Sequence, residues 1–588
     1  MRVIVLEAVP EDEEILVAWN DLVFRMERPE VFFTHQWALA ASRTFAASLS
    51  PKIFLMYESG QLAGIAAMAT TRESPTAAFF LTASTADYCD IVSAPETRDA
   101  IVKALLERMK DLGVRDLVLA NVPAESSTLR AFAASARSQG FHVHDRPGYD
   151  CGIISFGDAA QRQDVLQSVL RKVKEKRCLK KLSELGNVEV VHLTPADLET
   201  GLLPIFAAHV SRFLATTRLS PLVDPQRRFF LTELAKSLSS AGWLKVSALL
   251  LNKRPVAWNY GFKFHGSWFW YLPTFEMPYE EFSPGSTLLR LLIEQACGDS
   301  SVSRLDLGLG DEAYKERFRN DIHSICYVQL TKSLPGHVVN VGRHWLASSV
   351  ERIPEVEKRL REGRSRLRGL RNRIEKMGVG ATLGHALMRV KTSAISREEV
   401  AMFEAPRLTM PENENVALRP LDWDTLARAA MQNANDELTL EYLCRCAQRL
   451  RTGKVNGYYL AGPEKEAAHF LWVDLYHGFH LSEIDSRLES SDPTAAMIFD
   501  CWTPLSERGR GVYACAIRLA ALDLQAEQRQ AWIFSAAANE SSLRGILKAG
   551  FVYRFSLVRI RKFGITTMSR HSAGPPHRSV STKEIKLI

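Results

Sequence analysis

The sequence predicts an α/β protein of the α+β kind, in which repeated modules of mixed, largely antiparallel sheet are flanked by helices. Three observations predict it. One supersecondary order, two β-rich runs around a turn followed by a helix and then a strand, occurs three times along the chain. The helices of these units carry wide apolar stripes, such as Val512, Cys515, Ile517, Leu519, Leu522 and Leu524, suited to packing on a sheet. The composition is globular, with 46% hydrophobic and 24% charged residues in 588. At about 150 residues per domain, that length holds three or four cores.

The elements follow in order. In the first copy, residues 52–69 are two β-rich runs around Ser59-Gly60, 97–113 a helix and 115–122 a strand. In the second, 245–264 form the hairpin, 285–296 the helix and 304–310 the strand. In the third, 456–476 form the hairpin, 511–527 the helix and 531–538 the strand. From Pro335 to about Asn415 the chain turns helical, basic and poor in strand pattern, and it closes in the Pro- and Asn-bearing APRLTMPENEN. The tail from Gly564 has few large apolar residues and reads as disordered. The predicted organisation is therefore a first module at 1–150, a second at 151–335, a basic helical linker at 336–414, a third module at 415–563 and a tail at 564–588.

Charge and cysteine usage narrow the function classes. The 74 basic and 67 acidic residues leave a net +7, too small an excess over this length to argue for nucleic acid. The bias is local: Arg171, Lys172, Lys174, Lys176, Arg177, Lys180 and Lys181 crowd one predicted helix at 165–186, and residues 358–376 are nearly all basic and polar. Such runs serve either as solvated helix faces or as contacts for a polyanion. No apolar run approaches the roughly 18 residues of a spanning helix. The N-terminal residues turn acidic where a secretion signal needs a basic end, so export is not expected. Nine cysteines without a CxxC suggest neither a disulfide framework nor a zinc site, and the expectation is a reduced, cytoplasmic protein with no metal.

Residues 498–524 carry the sharpest motif: a short apolar strand, a turn, the basic glycine-rich loop Arg508-Gly509-Arg510-Gly511, then a helix. A helix N-terminus offers unpaired N–H groups and the positive end of the macrodipole, so it suits phosphate oxygens. The glycines let the backbone approach closely and the arginines add charge; a plain tight turn fits the same spacing. No GK[ST] follows, so the loop is not a Walker loop. Arg508-Gly-Arg-Gly511-Val-Tyr513 resembles the acyl-CoA loop of the GNAT acyltransferases. Asn539-Glu-Ser-Ser542 and Lys548-Ala-Gly-Phe551 resemble the next segment of that family. The resemblance implies that Arg508, Gly509, Arg510, Gly511 and Asn539 bind acetyl-CoA or another acyl-CoA. Two positions depart from the pattern. Tyr513 replaces a small final residue, and Ile546 stands where many members carry a tyrosine acid. Glu483, Asp485 and Asp500, near strand ends, are candidate bases or ordinary surface carboxylates.

A second segment, Ser283-Pro284-Gly285-Ser286, also leads into a helix, where Ser283 or Ser286 suits a cap and Pro284 the first turn. Downstream, Leu305-Asp-Leu-Gly308-Leu-Gly310-Asp-Glu-Ala313 formally satisfies a dinucleotide fingerprint. The helix after it is very short, however, and the next strand carries no acidic ribose ligand. These segments, with the basic helix, resemble the CelD/BcsL-type GNAT acyltransferases, a bacterial group associated with polysaccharide and envelope pathways and distantly similar to Fem-type transferases built from two GNAT-like halves. The resemblance implies that residues 283–286 form an acyl-donor loop, that Asp311 is the base, Tyr314 the acid and Lys315 a supplier of charge, and that the first module is the degenerate half. Asp87-Tyr88 resembles a recurring element of the same group. Without the resemblance, Asp311 is a helix cap and Tyr314 packs. The aromatic cluster at Trp258, Tyr260, Trp268, Trp270, Tyr271 and Phe275 suits a core first and ligand stacking second.

The expected activity is thus acyl-CoA-dependent N-acetyl- or other acyl transfer to an amine or hydroxyl of a sugar, a polysaccharide precursor or a small metabolite. The alternatives are Fem-type transfer from charged tRNA and a non-catalytic scaffold.

Overall fold

Two-residue turns set the frame of the first sheet. In the computed structural model, Ser59 and Gly60 both have positive φ (50° and 84°) and join strands whose last pair is Glu58 with Gln61. Asn252-Lys253 and His265-Gly266 repeat the pattern between the strands Leu244–Leu251, Arg254–Phe264 and Ser267–Phe275. Positive φ at both turn residues gives a type I′ turn, whose twist matches that of the flanking strands. The structure describes residues 1–171, 173–310, 312–338, 395–409, 417–462, 467–490, 492–562 and 565–572. They fall into two compact units, one built on the sheet of the first 331 residues and one on the sheet of 395–571.

All three copies of hairpin, helix and strand are present. Their helices are Arg98–Asp111, Pro284–Gly298 and Val512–Ala526, and their closing strands are Asp116–Pro123, Arg304–Asp306 and Ala531–Ala536. The first two copies share a single 13-stranded sheet. The predicted division at residue 150 falls inside one strand, His142–Ser155, which pairs antiparallel with both Arg304–Asp306 and Asp321–Thr331. Asp321–Thr331 in turn pairs with Asp116–Pro123, so the last strand of the unit joins its two halves.

The helix Pro284–Gly298 buries Leu288, Leu289, Leu292, Ile293 and Ala296 against Val256, Trp268, Trp270 and Leu305. Most of the predicted aromatic cluster is therefore core. Arg162 closes this helix: its guanidinium donates to the carbonyls of Ala296, Cys297, Asp299 and Val302 at 2.8–2.9 Å. Lone C-terminal carbonyls need such partners. The predicted basic helix at 165–186 is instead two, Arg162–Leu170 and Val173–Leu185. Lys172 and the side chains of Lys174 and Lys176 lie outside the described residues, as does the basic run 358–376.

The second sheet has eight strands, antiparallel throughout except for Ala496–Trp502 beside Ala531–Ala536. Two expectations are corrected here. Ile395–Glu404, placed in the linker, is an inner strand paired with both Ala531–Ala536 and Val552–Lys562. Its Val400–Phe403 run is fully buried, and that burial holds it in the sheet. The tail begins with a strand, Ile565–His571, paired with Val552–Lys562. Among the described residues no helix is long and apolar enough to cross a membrane.

Candidate functional site

In the first unit, the turn after Arg304–Asp306 is held by a buried polar network. Asp306 is fully buried; one carboxylate oxygen accepts from Tyr88 Oη at 2.8 Å and the other from Gly308 N at 2.8 Å. Lys315, 5% exposed, donates to the carbonyls of Gly308 and Leu309 and pairs with Glu312 at 2.9 Å. Predicted as free charge, Lys315 is committed to clamping this turn. Tyr314, the predicted acid, accepts from Trp270 Nε1 at 3.1 Å and packs on the core, where burial pushes its phenol up. Asp311 lies outside the described residues.

Asp87 is the group the sequence did not single out for chemistry. Its carboxylate approaches Gly308 so closely that a Cβ there would sit 2.8 Å from Oδ2, and Gly308 needs positive φ as well (71°). Burial, reinforced by the neighbouring Asp306 and opposed by Lys315 and the Leu309 N–H, raises the Asp87 pKa to about 7. Beneath it, Arg28 joins Glu30 at 2.6 Å, and Glu30 also pairs with Arg304 at 3.0 Å. A carboxyl titrating near neutrality suits proton transfer.

Ser283 stands at the N-cap of Pro284–Gly298 in the left-handed region (φ 52°), and its side chain makes no capping bond. Pro284 occupies the first turn, as predicted. An added Cβ on Gly285 would only touch Phe275 at 3.5 Å, so this glycine is not demanded by packing. Ser286 is half-buried on the first turn. No carboxylate–cation pair joins this segment among the described residues.

The second unit holds a cleft of about 1440 Å³. Ala496–Trp502 and Ala531–Ala536 pair in parallel only from Ala496/Ala531 to Ile498/Ile533. Beyond that point Phe499–Trp502 and Phe534–Ala536 line the cleft. A bulge accompanies the parting: Phe499 and Trp502 oppose Trp472 and Phe470, so one strand carries an extra residue, and Asp500 takes φ 45°. Tyr442 Oη fixes the bulge by donating to Asp500 O at 2.9 Å, and the Asp500 carboxylate pairs with Arg449.

The Arg508–Gly511 loop closes one end of the cleft. Gly509 and Gly511 have φ of 82° and 79°, which excludes most side chains. Gly511 is the N-cap of Val512–Ala526 and supplies no side-chain cap, so the first-turn N–H groups lack intrahelical acceptors. A Cβ on Gly511 would meet only Lys548 Nζ, at 4.0 Å. Open space before an uncapped N-terminus, with an ammonium beside it, fits a phosphate. Arg508 donates from Nε to Thr503 O at 3.1 Å and lies over Trp502, while Arg510 pairs with the buried Glu507 at 3.3 Å. Asn539 caps Glu540–Lys548, accepting from Ser542 N at 3.2 Å. It lines the cleft with its side chain already engaged. Thr503 is fixed from the sheet by His469 Nδ1 at 2.8 Å; His469 is 1% exposed, and burial lowers its pKa to about 3, keeping it neutral.

Ile546 is fully buried in the core and offers no proton. Tyr513 lines the cleft, its hydroxyl 3.0 Å from Ser542 Oγ. Of the three candidate carboxylates, Asp500 and Glu483 line the cleft; Asp485 sits in a turn against His480 at 3.1 Å.

A family model described as an acetyltransferase (GNAT) domain matches residues 171–316. No curated protein matches the chain. Among solved structures, the chain is similar to FemX at 9% identity and TM-score 0.41, over 56% of this chain and 97% of that one. It is also similar to a tandem GNAT protein from the clavulanic acid biosynthesis pathway, at 14% identity and TM-score 0.32, over 56% and 97%. A GNAT-family acetyltransferase from Colwellia psychrerythraea aligns at 10% identity and TM-score 0.21, over 64% and 97%. What the comparisons show for this chain is a match to the acetyltransferase (GNAT) domain over residues 171–316, inside the first unit.

Proposed function

We propose that this protein transfers an acyl group from acyl-CoA to an amine or hydroxyl, and that the donor lies in the cleft of the second unit. The observation that carries the reading is the uncapped, glycine-led N-terminus of Val512–Ala526 opening into a 1440 Å³ cleft where two parallel strands part. Bound there, the thioester supplies an activated acyl group. The first-turn N–H groups hold the donor phosphates, and Arg508, Arg510 and Lys548 supply the countercharge. The parted strands expose unpaired backbone groups that orient the thioester. Asp500, held in place by its pair with Arg449, accepts the acceptor's proton as the acyl group moves across and CoA leaves as the thiol. In the first unit, Ser283, Pro284, Gly285 and Ser286 form the competing donor loop, with Asp87 in place of Asp311 as its base. The resemblance to envelope-pathway acyltransferases supports a sugar or polysaccharide-precursor acceptor in the cytoplasm.

Calorimetric titration of acetyl-CoA into wild type, Gly511→Asp and Gly285→Asp tests the reading. Each aspartate places a negative charge where a phosphate would sit. Loss of binding in Gly511→Asp alone is the expected result. Loss in Gly285→Asp alone moves the donor site to the first unit. Absence of acyl-CoA binding to wild type overturns the reading, and a charged-tRNA donor would then show itself by a steep loss of affinity with salt.

A further inference from the structure

The donor end of the cleft contains a residue too large for its place. Tyr513 sits on the first turn of Val512–Ala526, beside the N–H groups that would face a phosphate, and a phenol ring directed into the cleft would cover them. The ring is instead turned onto the neighbouring helix, Glu540–Lys548, and its hydroxyl meets Ser542 Oγ at 3.0 Å. The seat it takes is Gly545. A Cβ at Gly545 would lie 2.5 and 2.7 Å from two ring carbons of Tyr513, closer than atoms can pack. Gly545 is in mid-helix, where glycine is disfavoured and an alanine would ordinarily strengthen the helix. Its backbone needs no positive φ. The one thing its missing side chain provides is room for the ring.

We propose that Tyr513 and Gly545 act as a pair that sets the bore of the cleft at its phosphate end, with Gly545 and Ser542 holding the ring clear of the helix N-terminus. Gly545 and Ser542 are positioning residues, and Tyr513 is the wall they place. This rests on the reading of the cleft as the acyl-CoA site. An added methyl at Gly545 moves the ring off its seat, and the open side is the cleft, so donor binding falls through the displaced ring; Gly545 also lines the cleft, and the variant without the ring separates the two effects. Removing the ring makes the same methyl harmless.

Acetyl-CoA is titrated into the full chain as wild type, Gly545→Ala, Tyr513→Ala, the double variant and Ser542→Ala, with circular dichroism confirming folding. Gly545→Ala should bind about tenfold more weakly or worse, as overpacking a filled contact does. The double variant should return to within about threefold of Tyr513→Ala. Ser542→Ala, which adds no volume, should weaken binding by a few-fold through release of the hydroxyl. Undiminished binding by Gly545→Ala, or a double variant as weak as Gly545→Ala, overturns the pairing while leaving the donor site in place. Wild type that binds no acyl-CoA overturns both. If Gly545→Ala does not fold, Ser542→Ala with unchanged affinity overturns the pairing.

Discussion

Replacing Asp87 by Asn should make the first unit more stable at alkaline pH and leave it unchanged in acid. In the folded chain this carboxyl ionises near 7 against its ordinary 3.8, because burial and Asp306 disfavour the charge more than Lys315 and the Leu309 N–H favour it. A raised folded pKa means that the native state holds the proton more tightly than the unfolded chain. Stability from this group is therefore fully present below about pH 4 and is lost as pH rises through 7. At about 1.4 kcal/mol per pH unit the loss reaches about 4 kcal/mol. Since Asp87 keeps some contact with water, about 2–4 kcal/mol is the range to expect. Asparagine cannot ionise, yet its amide oxygen can still accept from Leu309 N–H. Asp87→Asn should thus match wild type near pH 3 and exceed it by that amount at pH 8. Urea unfolding read by peptide-resolved hydrogen exchange separates the two units and measures the difference in the first. A difference that does not change with pH, or a variant less stable at pH 8, refutes the account of Asp87.

Two further outcomes follow from single contacts. Arg162→Met removes four charge-assisted bonds to carbonyls at the end of Pro284–Gly298, together with the guanidinium over Phe156, and should destabilise the first unit by about 2–3 kcal/mol in urea titrations. His469 is held neutral with its pKa lowered to about 3, so its contribution is present above pH 6.5 and is lost as pH falls towards 3. Relative to wild type, His469→Gln should therefore gain about 2 kcal/mol in the second unit between pH 7.5 and 5, and a constant gap would count against it.

The local parts of this fold were legible because their signals are local. Ser59-Gly60 marked a hairpin by turn chemistry, Val512–Leu524 a helix by its stripe, and Gly509 and Gly511 a loop whose backbone can approach a ligand closely. What escaped was set by partners far along the chain. Tyr88 bonds Asp306 across 218 residues and Glu30 meets Arg304 across 274, so the setting that tunes Asp87 had no trace in either segment alone. Ile395–Glu404 was missed because Ser396–Glu399 are polar and only four apolar residues follow. Its place comes from the two strands that flank it. Tyr513 was visible as a departure from a pattern, but the room for its ring lies in Gly545, 32 positions on.

The strand Asp321–Thr331 has a consequence for how the chain is made. It lies between Asp116–Pro123 and His142–Ser155, both of which emerge from the ribosome far earlier. Until it arrives, each of those strands presents a row of unpaired N–H and C=O groups, an invitation to pair with another chain. The first unit therefore completes its sheet only after about 330 residues have been synthesised, and it is expected to fold slowly, with most of its pairing non-local. A nascent chain stopped at residue 315 should need a chaperone to stay in solution, whereas one that has passed 331 should not.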